Sequence, residues 1–551
     1  MLKTALLGGF LFLQQQQTLT LKNIDTPSLI DMSTRATKIV IVGGGSAGWL
    51  TANILAARFN DDDSGATVTV IESPSVPTVG VGEGTWPSMR TTLGAIGIDE
   101  ADFIRECDAS LKQGTWFKDW VNIGGRPYYH PFSLPEGFET VNLAEHWLAG
   151  AAGGRPFAEA VTPQYLVCEQ ARAPKQLGVP DYAYTVNYGY HLDAGKFAEL
   201  LTRNATTKLG VNHVKADVCR LNTDQDGYIT SAATEQAGDI SGDLFIDCTG
   251  FKSLLLSEHY RVPMKSQSGV LFNNAALAVQ VPYGAQSTEI AATTHSTAQP
   301  NGWIWDIGLQ TRRGVGHVFS EAYQTPQETE LVLDRYLKLT GRTRGLDELS
   351  PRLLRFEPGY REKFWVKNCV AVGLSAGFIE PLEASALVLI ELSAAAIADH
   401  LPHDRDTMSI VAKRFNGEFS TRWEQIIDFL KLHYVLSKRE DSPYWLDNRN
   451  IETVPMTLQE NLTLWRSQPP WYHDDMRRDE MFPAASYQYV LYGMGYETKS
   501  NPRRKRSYEA QAELAQKHFA ETQKKALRYG KHLPPNRYLM DQLRDRNFGS
   551  M

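Results

Sequence analysis

The run Lys38-Ile39-Val40-Ile41-Val42-Gly43-Gly44-Gly45-Ser46-Ala47-Gly48-Trp49 decides the fold. Its β-branched residues read as a buried strand, which breaks into Gly43-x-Gly45-x-x-Gly48. Residues 46–59 (SAGWLTANILAARF) contain no proline and are rich in Ala and Leu, so they read as a helix. A second strand, Val68 to Glu72, follows and ends in an acid. A lone glycine fingerprint is weak. Strand, glycine turn, helix, strand and terminal acid in that order form a dinucleotide-binding βαβ unit. Gly43, Gly45 and Gly48 permit the tight turn and close backbone approach to a pyrophosphate. Ser46 and Ala47 open a helix whose free N–H groups and positive dipole end suit that anion. Glu72 can accept from ribose hydroxyls. The blander reading, a buried strand and turn with no ligand, is disfavoured by the whole βαβ context.

Length and composition bound the rest. A chain of 551 residues suggests three or four domains as a prior, with ample apolar content for a large core. Net charge is −7 at pH 7, which argues against nucleic acid as the main partner. The five cysteines (Cys107, Cys168, Cys219, Cys248, Cys369) are odd in number and lack any CxxC spacing. They fit a reducing, cytoplasmic compartment and neither a disulfide framework nor a metal site. The leader, residues 1–36, has the outline of a short signal peptide at Ala5 to Leu13, but Gln14 to Gln17 replace a cleavage site. It is too short to span a membrane. It reads as disordered or as a non-native start, with Met32 a natural start and export the minority reading.

Along the chain, Pro77 to Pro87 (PTVGVGEGTWP) is a punctuated loop placed to run beside the dinucleotide, or an ordinary surface loop. Residues 88–120 look helical, and 121–190 look like loops folded over the site. A helix is expected from Ala194 to Thr206. Asp243 to Phe251 reads as a strand returning to the dinucleotide. Residues 268–319 are strand-like, and a period of two puts Trp303, Trp305 and Ile307 on one face. That face is a core face or a cavity wall, and spacing alone favours core. Cys369 to Ala386 is a second strand-to-helix passage, with a helix to about His400. From Arg405 the chain is mostly helical, with Phe415, Phe419, Trp423, Ile426, Ile427, Leu430 and Tyr434 in one stripe. Arg503 to Arg506 reads as a solvated basic face.

These residues carry a resemblance. GGGSAGW (43–49), VGVGEGT (79–85), CDASLK (107–112), YHPFSL (129–134), DLFIDCTGF (243–251), GWIWDI (302–307) and GFIEPLEAS (377–385) stand in the order of the flavin-dependent tryptophan and indole halogenases. The sequence resembles that family from about residue 36 into the C-terminal helices. The resemblance implies an α/β fold: a Rossmann-type FAD-binding module with a mixed sheet, within 37–400, and a largely helical substrate module, 401–551. It implies FAD, delivered as FADH2 by a separate flavin reductase, with O2 and chloride or bromide. The chemistry implied is a flavin hydroperoxide that converts halide to hypohalous acid, which a tunnel delivers to a small aromatic substrate.

By motif position, the resemblance assigns Lys112 and Glu383 as catalytic, and Ser385 and Ala386 as the halide site. Gly43, Gly45, Ser46, Ala47, Gly48, Glu72, Val81, Gly82 and Gly373 are assigned to the cofactor. His130, Phe132, Trp303, Trp305, Tyr487 and Tyr489 are assigned to the substrate pocket or tunnel. Without the family, Lys112 would read as a surface lysine and Glu383 as a helix cap. Two departures stand out. Gly308 replaces the proline that usually ends the tryptophan motif, and Tyr487 and Tyr489 are split by Gln488 where the family pairs two tyrosines. The split favours indole, an indole derivative or a tryptophan within something larger over free tryptophan. The alternatives are a flavin aromatic hydroxylase, against which stands Gly373-Leu374-Ser375 in place of a Gly-Asp pair, and a catalytically silent flavin-binding protein. No membrane partner is expected, and homodimerisation is left open.

Overall fold

The computed structural model describes residues 37–59, 65–76, 82–284, 288–341, 344–472, 481–499 and 505–545. The leader, Val81 and the arginines at 503 and 504 lie outside the described residues, as do the side chains at 505 and 506.

The opening motif folds as its pattern demands. Thr37–Val42 is the central strand of a six-stranded sheet, flanked by parallel strands Ala66–Glu72 and Leu244–Asp247. Asn212–Lys215 extends one side, and Cys369–Ala371 the other, in parallel. Trp365–Val366 closes that edge antiparallel, so the sheet is mixed. Helix Ser46–Phe59 packs between helices Ala194–Thr207 and Ala386–Asp399. Ile39 to Val42 are buried because this sheet is covered on both faces.

A seven-stranded sheet holds the middle of the chain. Its order is Arg352–Arg355, Ala275–Pro282, Arg312–Phe319, Gly302–Gly308, Thr294–Gln299, Gly114–Lys118, Tyr128–Pro131. Strand alternation sorts its faces. Ile304, Leu277, Val279 and Val315 pack with Leu333 and Leu337 of helix Pro326–Leu339. Trp303 and Trp305 belong to the opposite face, with the main core.

Two sequence expectations are corrected. Residues 88–120 are not one helical stretch: helices Ser88–Ala95 and Glu100–Glu106 give way to strands Ser110–Lys112 and Gly114–Lys118. Asp108, at φ 51°, turns the chain, and its carboxylate accepts from the Thr311 backbone N–H and hydroxyl. Residues 121–190 are not only loops. They hold strand Tyr128–Pro131 and helices Leu143–Leu148, Phe157–Val161 and Gln164–Glu169, each too short to show a period.

The C-terminal part is helical as expected. Helix Arg405–Val435 begins in a capping box formed by Asp404 and Thr407, and all seven stripe residues are buried. Among the described residues no helix is long and apolar enough to cross a membrane.

Candidate active site

A small sheet assembles the centre. Strand Gly189–Asp193 pairs on one edge with Ser110–Lys112 and on the other with Gly82–Gly84, the described end of the glycine-rich loop. Lys112 and Gly84 thereby approach the loop that carries Glu383. A Cβ on Gly84 would lie 3.1 Å from Lys112 Nζ and 3.3 Å from Ala384 Cβ. A methyl there would press on both, so a glycine suits this close approach of three segments.

Lys112 is buried, with its Nζ 5.4 Å from the centre of the half-buried Phe132 ring. Burial draws its pKa down to about 8, against the opposing pull of Glu383 and Glu83. Burial in turn pushes the Glu83 carboxyl up to about 7, with Lys112 holding it back.

Glu383 sits in a left-handed conformation, φ 67° and ψ 4°, and Ala384 follows at φ 55°. Such a conformation costs a non-glycine residue ~1–3 kcal/mol and persists only where surroundings enforce it. The Trp86 indole N–H donates to the Glu383 carbonyl at 2.8 Å. His130 Nδ1 lies 2.8 Å from Glu383 Oε1, and His433 Nε2 lies 3.5 Å from the same oxygen. Burial works to raise the carboxyl's pKa. His130, His433 and Lys112 outweigh it and hold the carboxylate below its ordinary range.

Aromatic rings pack against the histidines of Glu383. Phe429 stacks on Phe482 at 3.8 Å, Tyr487 meets Phe429 edge-on at 5.1 Å, and Trp86 lies 4.9 Å from Phe482. Helix geometry turns Tyr489 about 200° from Tyr487, and the Tyr489 hydroxyl donates to the Ser133 carbonyl at 2.9 Å. The two tyrosines therefore lie on different faces of the helix. His130, assigned to the substrate pocket, stands beside Glu383. It is buried with both nitrogens engaged, Nε2 lying 2.9 Å from Ser486 Oγ.

The glycine turn fits a dinucleotide. Gly43, at φ 118°, lies so close to the Cys248 carbonyl that a Cβ would stand 2.2 Å from it. A Cβ on Gly48 would fall 1.8 Å from the Gly43 carbonyl, whereas one on Gly45 would meet nothing within 4 Å. The turn is packed at its base and open at the position that would face a pyrophosphate. Glu72 stands at the strand end, paired with His213 at 2.7 Å and lying against Gly44. Gly373, at φ 76°, packs against Ala47. Ser46 Oγ donates to the Ala194 carbonyl at 3.3 Å, tying the turn to the helix that Asp193 caps. Asp193 also pairs with Arg312 at 2.6 Å. Arg312, Gly82 and Trp305 line a cavity of about 280 Å³ beside the glycine-rich loop.

Ser385 and Ala386 start helix Ala386–Asp399, where the first-turn N–H groups have no intrahelical acceptor. Trp303 is fully buried and its indole N–H donates to Glu380 Oε2 at 2.7 Å, while Trp305 is half-buried with its indole over Gly316. The shared face is thus core at one residue and cavity wall at the other. At Gly308 a Cβ would stand 3.0 Å from both Ile290 and the Tyr283 hydroxyl, a tight fit.

Sequence reasoning missed several residues. Glu380 accepts from Trp303, Asn273 and Tyr434, so it anchors the loop bearing Glu383. His433 and Ser486 complete the surroundings of Glu383 and His130. Glu380 shares the Glu-Pro-Leu-Glu segment with Glu383, which was a usable signal. His433 lay within a helical stripe with nothing to distinguish it.

Three comparisons bear on this geometry. A family model described as tryptophan halogenase matches residues 38–510. The tryptophan 6-halogenase of Streptomyces albogriseolus is 32% identical over 93% of this chain and 99% of its own. A solved tryptophan halogenase from Shewanella frigidimarina is 49% identical, with a TM-score of 0.89 over 93% of this chain and 98% of that one. A flavin-dependent halogenase from Xanthomonas campestris has a TM-score of 0.81 at 29% identity, over 92% and 98%. With a flavin-type glycine turn on one side and a buried Lys–Glu pair on the other, the chain belongs to the tryptophan halogenase family and is a flavin-dependent halogenase.

Proposed function

We propose that the protein replaces a ring hydrogen of an electron-rich aromatic by chlorine or bromine, and that its substrate is indole, an indole derivative or an indole side chain within a larger molecule. The observation that carries this reading is that Lys112 and the loop bearing Glu383 meet at Gly84, with aromatic rings packed around the histidines of Glu383. Gly43, Gly45, Ser46, Ala47, Gly48, Glu72, Gly82 and Gly373 would hold FAD. Held there in reduced form, FAD would supply, with O2 and halide, hypohalous acid. A separate reductase delivers the reduced form. The backbone N–H groups at Ser385 and Ala386 suit the halide.

Free hypohalous acid is indiscriminate, so regiochemistry requires a donor that fixes it over one ring carbon. The Lys112 ammonium does this. It gives a proton to the departing oxygen as the halogen bonds to carbon. Glu383 then takes the ring proton, the C–H electrons return to the ring, and water leaves. The proton on Glu383 passes back to Lys112, so the site is restored. The Tyr489 hydroxyl is spent on Ser133, which supports a substrate without a free amino-acid backbone to grip.

The test supplies FAD, a flavin reductase with NADH, oxygen and chloride or bromide, and offers indole and free tryptophan in parallel, reading product masses. Halogenated indole without halogenated tryptophan supports the reading. Halogenated tryptophan would overturn the substrate assignment, and oxygenated product without halogen would overturn the reaction.

A further inference from the structure

We infer that Glu380 is a positioning residue for the halogenation step: by fixing the loop that carries Glu383, it makes hypohalous acid react at the substrate ring and not escape. The inference rests on the reaction proposed above. Glu380 Oε2 is the meeting point of three elements. The Trp303 indole N–H, the Tyr434 hydroxyl and an Asn273 amide N–H donate to that one oxygen, each at 2.7 Å. Trp303 lies on strand Gly302–Gly308, Tyr434 at the end of helix Arg405–Val435, and Asn273 just ahead of strand Ala275–Pro282. The other hydrogens of the cluster are also placed. Asn273 Nδ2 donates to the Tyr434 hydroxyl at 3.0 Å, and the Tyr444 hydroxyl to Asn273 Oδ1 at 3.0 Å. Glu380 is 1% exposed, so water does not compete for these bonds.

Glu383 lies three residues further on, across Pro381 and Leu382. Leu382 is fully buried, whereas Pro381 is exposed, so the loop is packed from one side only. Glu383 and Ala384 both stand at positive φ, 67° and 55°, and such a backbone relaxes unless its surroundings enforce it. The backbone is held by the Ala384 N–H on the Pro381 carbonyl at 3.1 Å and by the Trp86 indole N–H on the Glu383 carbonyl. Among Glu380-Pro381-Leu382-Glu383-Ala384 only the two glutamates have side chains that hydrogen bond. Glu383 is needed for the reaction, so side-chain anchoring falls to Glu380.

The same oxygen also holds Tyr434, whose chain neighbour His433 lies 3.5 Å from Glu383 Oε1. Ala384 in turn meets Gly84, which meets Lys112. A loop released from Glu380 therefore shifts Glu383 against both His433 and Lys112. A donor and base slightly out of place lose rate steeply, and acid that is not captured diffuses away.

The experiment measures where the halogen goes. Holoenzyme carrying reduced FAD is mixed with oxygen, bromide and indole in a single turnover, with taurine in large excess over indole to trap free hypobromous acid as its bromamine. Bromoindole and bromamine are counted per flavin oxidised. Wild type is run first; absence of halogenated indole there would count against the proposed function, separately from this inference. Glu380→Gln keeps the size and one carbonyl oxygen, loses the charge that strengthens the three bonds, and sets an amide where Oε1 has no partner among the described residues. With wild type active, Glu380→Gln is expected to make about tenfold less bromoindole per flavin, with the balance found on taurine and KM for indole within about twofold of wild type. Tyr434→Phe removes one of the three donors and keeps the ring, and should shift the same partition by about threefold. A merely structural Glu380 predicts a lower Tm and less active enzyme, with the partition per flavin unchanged. That result would overturn the inference. Folding is checked by FAD binding. If Glu380→Gln does not fold, Tyr434→Phe decides: a partition shifted towards taurine supports the inference, and an unchanged one overturns it.

Discussion

Replacing Lys112 by Met is expected to abolish halogenation and to stabilise the protein. The side chain is fully buried, and its pKa falls from 10.5 to about 8 because burial disfavours the ammonium. A shift of roughly 2.5 units corresponds to about 3 kcal/mol of differential interaction. The unfolded chain binds the proton more tightly than the folded one, so this cost is present in full below pH 8. It is relieved as pH rises from about 8 towards 10.5. Methionine matches the length of the lysine stem and carries no charge to desolvate. The change also removes the attraction of Lys112 to Glu83 and Glu383. Glu83, with a pKa of about 7, responds by taking up a proton, and Glu383 keeps its histidines. The net gain should therefore be about 1–3 kcal/mol at pH 7, narrowing above pH 8. Urea unfolding of both proteins at pH 7 and pH 9.5 measures it, with the halogenation assay run alongside. A Met variant less stable than wild type at pH 7, or one that still halogenates, would refute the reasoning.

Glu383→Gln is expected to lower kcat about 100-fold or more with substrate affinity retained, measured by turnover and by substrate binding to the reduced holoenzyme. Gly84→Ala places a methyl 3.1 Å from Lys112 Nζ and 3.3 Å from Ala384 Cβ. It should lower kcat about tenfold while FAD affinity stays within twofold of wild type, since a positioned donor misplaced slightly loses rate before binding. Glu391, on helix Ala386–Asp399, accepts from Ser88 and Thr92 of helix Ser88–Ala95, and burial pushes its pKa up to about 7. The folded state holds this proton more tightly, so stability falls as pH rises from about 4.5 to 7. Glu391→Gln should be more stable than wild type at pH 8 and not at pH 4.5, read from unfolding midpoints.

The glycine turn was legible because its chemistry is local: strand, turn, helix and acid follow one another in the chain, and each obeys a short-range rule. The stripe from Phe415 to Tyr434 was legible for the same reason. Lys112 was not readable from physics alone. Its strand spans only Ser110–Lys112 and is defined by pairing with Gly189–Asp193, far along the chain. Residues 110–118 therefore looked like the tail of a helix until their partners were seen. The resemblance gave Lys112 and Glu383 a shared role and put His130 in the substrate pocket, but the contacts of His130 with Glu383 and Ser486 join residues far apart in the chain and had no sequence signal. Trp303 shows the limit of periodicity. A period of two put it beside Trp305, yet only the contact with Glu380 distinguishes a buried anchor from a cavity wall.

The electrostatics of the centre make sense as a separation of proton affinities. A donor that steadies hypohalous acid must be charged at neutral pH yet ready to release its proton as the oxygen departs. At a pKa of about 8, Lys112 is still mostly protonated at pH 7, and it is a stronger acid than an exposed lysine by a factor of roughly 300. A base that collects the ring proton must stay ionised in the same dry pocket. Burial alone would raise the Glu383 pKa, and His130, His433 and Lys112 together hold it below its ordinary range. The same burial thus lowers one pKa, while these neighbours keep the other from rising. Without His130 and His433 the Glu383 pKa would rise, and Lys112, as it lost that negative neighbour, would fall further. Halogenation in such a pocket should then become limited by proton removal, and a ring-deuterated substrate would react more slowly in His130→Phe than its protiated form, with no such difference in wild type. An equal isotope effect in both proteins would show that Glu383 keeps its charge by other means.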